Sequence, residues 1–149
     1  MEHTEKALAY FDNNFNCAQA VMAAFADELG MSEDAALKVS TAFGGGIGRQ
    51  QFTCGAVSGA AMVLGLKFGK AKQDEDEKKQ LTYSKTVELF DNFTHTNGST
   101  VCRQLLDNLN MRDEAEHAQI VEKGFFQSRC RKYIADAVNI TENLINNPK

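Results

Sequence analysis

Apolar residues recur every three to four positions along most of the chain, and the stretches that break this period are short and rich in glycine, asparagine or charge. From Thr4 to Asp12, Ala7, Leu8 and Phe11 share one face of a short amphipathic helix. Asn13, Asn14 and Asn16 mark a turn, and Asn16 followed by Gln19 has the form of a capping box, so Cys17 begins a second helix. Ala18, Val21, Met22, Phe25 and Leu29 form its buried face, and Gly30 stops it. Ser32 with Glu33 and Asp34 opens a third helix, a cap followed by acidic residues against the helix dipole. That helix ends at Gly44, Gly45, Gly46 and Gly48.

The second half follows the same rhythm. A small-residue helix follows Cys54, and the mixed-charge stretch from Lys70 to Gln80 reads as an exposed connection and helix start. From about Asp74 to Thr96, Tyr83, Val87, Phe90, Phe93 and Thr94 form the expected buried stripe of a longer helix. Asn97 and Gly98 end it, and Ser99 is the expected cap of the next, with Cys102 in its first turn. A helix-like stretch from about Asp113 to Lys123 stops at Gly124. Ser128 then caps a last helix carrying Cys130 in its opening turn, with Ile134, Ala137, Val138, Thr141, Leu144 and Ile145 buried. Pro148, the sole proline, lies beyond its end. The fold class this pattern predicts is all-α: a single-domain bundle of about five to seven helices over residues 1–149.

Charge and composition narrow the function. With 16 basic against 20 acidic residues and a formal charge of −4, the chain has no basic tract long enough to follow a phosphate backbone, which argues against nucleic acid as a partner. The run from Ala56 to Leu66 falls well short of the roughly 20 residues a membrane span needs. The N-terminus has no basic region, long apolar core or small-residue cleavage site, so a cytoplasmic location is expected. In a reducing compartment the four cysteines point to metal ligation or redox chemistry before structural disulfides.

The stretch from Phe43 to Gly65, FGGGIGRQQFTCGAVSGAAMVLG, concentrates that chemistry. Thr53 is the predicted N-cap and Cys54 the first helical residue, where the positive end of the helix dipole favours thiolate over thiol. Glycines ahead of a helix can present N–H groups to an anion, but the Gly-Lys-Ser/Thr ending of a phosphate loop and the dinucleotide spacing are both missing. Gly46, Gly48, Arg49 and Gly55 are the residues expected to line a cofactor. Beyond Cys54, the run of Gly55, Ala56, Ser58, Gly59, Ala60 and Ala61 lets a neighbouring backbone or a compact group approach closely.

Each of Cys17, Cys54, Cys102 and Cys130 is expected in the first turn of a different helix, with 36, 47 and 27 residues intervening. If those helix ends converge, their dipoles stabilise clustered thiolates or a thiolate-ligated metal centre, and Arg49, Arg103, Arg129 and Arg131 are candidates to add positive charge. The segment CGAVSG, with one cysteine upstream and two downstream, resembles the family named C_GCAxxG_C_C, redox-active proteins of about this size with four cysteines in this order. NCAQAV and FGGGIGR are similar to the family as well, whereas Cys54 and Gly55 stand in the reverse of the name's Gly-Cys order. The resemblance implies redox activity and little of the mechanism.

Two mechanisms use the same four cysteines as redox-active thiols. In one, Cys17, Cys54, Cys102 and Cys130 are metal ligands that hold an iron–sulfur cluster for electron transfer. In the other, they exchange dithiol for disulfide with a redox partner protein. A structural zinc site or inert thiols in a helical adaptor form a third class, against which the lack of close cysteine pairs weighs. His3 is expected in a solvated terminus, and His95 and His117 are reserve ligands. No serine–histidine–acid arrangement stands out. Apolar faces on short helices make a homodimer an open expectation.

Overall fold

The computed structural model describes residues 2–147; Pro148, assigned above to the chain beyond the last helix, lies outside them. In order the helices are α1 His3–Asp12, α2 Cys17–Ala26, α3 Glu33–Ser40, α4 Gly44–Ile47, α5 Gly55–Phe68, α6 Asp76–Asn97, α7 Cys102–Leu105, α8 Glu114–Glu122 and α9 Phe125–Asn146. Seven have at least eight residues, α7 is a single turn and α4 a left-handed one, so the all-α expectation holds among the described residues. The Asn16–Gln19 capping box is present, and Ser32 caps α3 by accepting from the Ala35 N–H. Gly98 and Gly30 end their helices in the left-handed conformation.

Helix α2 is the centre of the bundle. Ala18 and every residue from Ala20 to Ala26 are buried, because α1, α3, α5 and α9 all pack on it. A helix covered all round must be apolar all round, and its alanines let the neighbouring backbones come close. The tightest approach is to α5, where a Cβ built on Gly59 would lie 2.7 Å from the Ala18 carbonyl oxygen. Val21, Phe25, Val57, Leu64, Leu89, Phe93, Ile134 and Val138 fill the space between these helices.

Two expectations are corrected here. The buried stripe of α6 is Lys85, Leu89 and Phe93, while Tyr83 and Val87 are 60% and 59% exposed and Thr94 also faces solvent. Lys85 hid this register: its aliphatic stem is buried as a hydrophobe would be, and its ammonium donates to the Asn147 carbonyl and lies 5.5 Å from the Phe68 ring centre. His3 is docked instead of solvated. Its ring stacks on Phe25 with centroids 4.0 Å apart, Nδ1 meets Glu142 at 2.6 Å, and Nε2 pairs with Glu28. Among the described residues no helix is long and apolar enough to cross a membrane.

The Gly59 contact predicts that Gly59→Ala destabilises the protein by about 1–3 kcal/mol. Gly65→Ala, on the same helix with nothing within 4 Å of its Cβ position, should stabilise by about 0.5–1 kcal/mol. Urea midpoints of the two variants test this. Burial alone would lower the His3 pKa, but its hydrogen bonds to Glu28 and Glu142 outweigh that and raise it above 6.5. The stabilisation is then complete below pH 6.5 and lost as pH rises through the folded value, a slope that His3→Gln should flatten.

Candidate functional site

Two backbone contacts bring three of the four cysteines together, and Cys130 joins them from α9. Cys17 opens α2 behind the Asn16 cap. The start of α5 lies against the start of α2: a Cβ on Gly55 would meet the Ala18 nitrogen and the Phe43 oxygen at 3.1 Å and the Cys17 Cβ at 3.2 Å. Cys54 is therefore beside Cys17. Residues 51–54 and 100–103 run antiparallel around a Thr53–Val101 bridge, with Cys54 N–H donating to the Thr100 carbonyl at 2.7 Å and Cys102 N–H to the Phe52 carbonyl at 2.6 Å. That clip holds Cys102 to Cys54. Cys130 comes from α9 and lies close enough to Cys17 that the two thiols shift each other's proton affinity in opposite directions.

All four cysteines line one cavity of about 560 Å³. Cys54 and Cys102 are buried, whereas Cys17 and Cys130 are partly accessible. Three local expectations change. Cys54 is itself the N-cap of α5, since the bridge to Val101 holds Thr53 extended. Val101 occupies the N-cap of α7, and the Ser99 hydroxyl accepts the Val101 N–H instead. The last helix begins at Phe125 behind Gly124, so Cys130 falls in its second turn, and Ser128 lies inside the helix with its hydroxyl on the Gly124 carbonyl.

The glycine stretch forms a left-handed turn. Gly45, Gly46, Ile47, Gly48 and Arg49 have consecutive φ values of 64, 69, 71, 59 and 65°. At Ile47 and Arg49 this backbone costs about 1–2 kcal/mol per residue, since neither is glycine. Several N–H groups that a glycine run can present to an anion are taken up within the turn, with Gly48 bonded to Ala42, Arg49 to Gly44, Gln51 to Gly45 and Phe52 to Gly46. Gly48, Arg49 and Gly55 line the cavity. Gly46 does not: a Cβ there would meet the Gln51 and Phe52 backbone at 2.6 Å, which makes it a packing glycine.

Of the four candidate arginines only Arg49 lines the cavity. Arg129 pairs with Asp107 at 2.8 Å and lies on the Phe125 ring, Arg131 pairs with Asp12, and Arg103 donates to the Asn108 carbonyl. His117 lines the cavity and His95 does not. Sequence reasoning missed Met111, Phe126, Tyr133 and Gln51. Buried Gln51 donates to the Leu109 carbonyl and accepts from the Met111 N–H, which ties that loop to the wall. Its place just ahead of Cys54 was the one available signal. Met111 and Phe126 carry none.

Burial decides the state of the thiols. It pushes Cys54 up to about 12, against the Ala56 and Val57 N–H groups that pull its pKa down. It does the same to Cys102, helped by the charges of Cys54 and Cys130 and opposed by a hydrogen bond from Gln51. The Cys17 thiol is raised chiefly because its proton is bonded to Cys130, and that same bond lowers Cys130 despite burial. The thiolate favoured at the Cys54 helix end is thus overruled, and Cys130 is the member of the set whose pKa is lowered. In reduced, metal-free protein, alkylation should reach Cys130 ahead of Cys54 and Cys102, as peptide mapping would read. A pKa raised from 9.0 to about 12 is stabilising below pH 9 and progressively lost as pH rises towards 12, so the urea midpoint should fall over that interval.

An uncharacterized protein of Archaeoglobus fulgidus is 27% identical to this chain over 160 residues, spanning 100% of this chain and 99% of its own length. No solved structure matches. The family model described as "Putative redox-active protein (C_GCAxxG_C_C)" matches residues 15–144, a span that includes all four cysteines. The chain belongs to that family of redox-active proteins.

Proposed function

We propose that the four cysteines hold an iron–sulfur cluster and that the protein carries electrons for a partner. The observation behind this reading is the convergence of Cys17, Cys54, Cys102 and Cys130, from four separate segments, on one cavity. Among the described residues no three His, Cys, Asp or Glu side chains close on a point that could hold a single metal ion. A cluster distributes its thiolates over several irons, so donors spread around a cavity suit it. Bound there, it would supply reversible electron transfer.

The chain's own contribution follows from the surroundings. Thiols kept neutral by burial must release protons on ligation, which makes loading pH-dependent. The first turns of α2 and α5 direct the positive ends of their dipoles at Cys17 and Cys54, offsetting part of the charge of the ligated thiolates. Leu105, Leu106, Phe11 and Tyr133 wall the cavity and limit water at the sulfurs.

The Cys17–Cys130 contact favours a second reading, dithiol exchange. The Cys130 thiolate attacks a partner disulfide and expels one partner thiolate; Cys17, losing its proton, then attacks the mixed disulfide. This leaves a Cys17–Cys130 disulfide and a partner reduced by two electrons.

Protein purified without oxygen should show visible bands with bound iron and acid-labile sulfide, and Cys54→Ala should lose them. A colourless, iron-free protein that forms a Cys17–Cys130 disulfide with oxidised glutathione would overturn the cluster and establish the exchange reading.

A further inference from the structure

The cavity extends beyond its thiols to a mouth where Arg49 is exposed. Five consecutive left-handed residues end on Arg49, so a strained turn sets where this side chain leaves the backbone. Its stem lies over Gly45: a Cβ there would stand 2.9 Å from Arg49 Cγ and 3.2 Å from Met111 Sδ. Arg49 and Met111 therefore meet on one patch of wall. Met111 belongs to a small apolar cluster that also packs against Phe126, and Phe126 carries the His117 ring at 5.6 Å between centroids. Arg49 and His117 thus flank a continuous apolar surface, and both line the cavity. Among the described residues neither side chain has a hydrogen bond or ion pair, whereas Arg103, Arg129 and Arg131 are each engaged.

A cavity of about 560 Å³ with mostly apolar walls and a few polar groups is the usual form of a small-molecule site. We infer that it binds a small organic anion beside the thiols. Arg49 takes the anionic head in a forked, charge-assisted contact, His117 adds a ring nitrogen, and Met111 and Phe126 pack the apolar body. The site rests on the redox reading for its role next to the thiols, but ligand binding itself requires no cluster.

Benzoate is a suitable probe, with benzamide as its neutral counterpart, titrated into reduced, metal-free protein by calorimetry and by amide chemical shifts. One benzoate should bind per chain and move the signals of Arg49, His117 and Phe126, with benzamide clearly weaker. Arg49→Gln should weaken benzoate about tenfold or more, and Arg49→Lys should weaken it less, because lysine keeps the charge but loses the forked contact. Absence of benzoate binding, equal binding of benzamide, or unchanged affinity in Arg49→Gln would overturn the assignment. Iron and sulfide analysis of the same variants separates this outcome from a failure of the cluster reading, since Arg49 is not a ligand of the proposed cluster.

Discussion

The close approach of α5 to α2 is the constraint on which the rest of the structure depends. Ala18 on one helix and Gly59 on the other bring the two backbones to a separation where a single added methyl would collide with a carbonyl oxygen. One turn earlier, Gly55 lies against the Ala18 nitrogen and Cys17. The two contacts fix both the distance and the register of the helices, and so set the Cys17 and Cys54 sulfurs beside one another. The same small residues that build the core position two of the four cysteines.

At the cysteines, two electrostatic effects act in opposite directions, and their sizes settle the outcome. A helix N-terminus offers an anion up to about 2 kcal/mol in partly buried geometry. Raising a thiol from 9.0 to about 12, as burial does at Cys54, corresponds to roughly 4 kcal/mol. Desolvation wins, and burial favours neutral thiols at Cys54 and Cys102, whereas Cys130 is lowered by its neighbour Cys17. Such a site is poorly suited to indiscriminate thiolate chemistry. It becomes anionic when something binds the sulfurs strongly enough to displace their protons.

The remaining half of the site depends on contacts outside regular secondary structure. The antiparallel clip at Thr53 and Val101 sets Cys102 against Cys54, and the Gln51 amide ties the 109–111 loop to the left-handed glycine turn. These contacts spend backbone strain at Ile47, Arg49 and Gln51, each at positive φ without being glycine. The strain stays next to the cavity, where it aims Arg49 and anchors Met111 on the wall.

The sequence by itself determined the helical class, most helix boundaries and the site's cysteines, because capping boxes, glycine stops and apolar periodicity are local signals that act within a few residues. Asn16 with Gln19, Ser32, Gly98 and the buried stripe of α9 were all legible in this way. Where a local signal competed with tertiary contact, the contact prevailed. Thr53 is drawn into a bridge with a residue 48 positions away, Ser128 is absorbed into a helix that starts at Phe125, and Lys85 takes a core position through its stem. Met111, Phe126 and the pairing of Cys17 with Cys130 could not be read from spacing at all. Their proximity is a property of how helices pack, and periodicity along one helix specifies which face is buried without specifying what it meets.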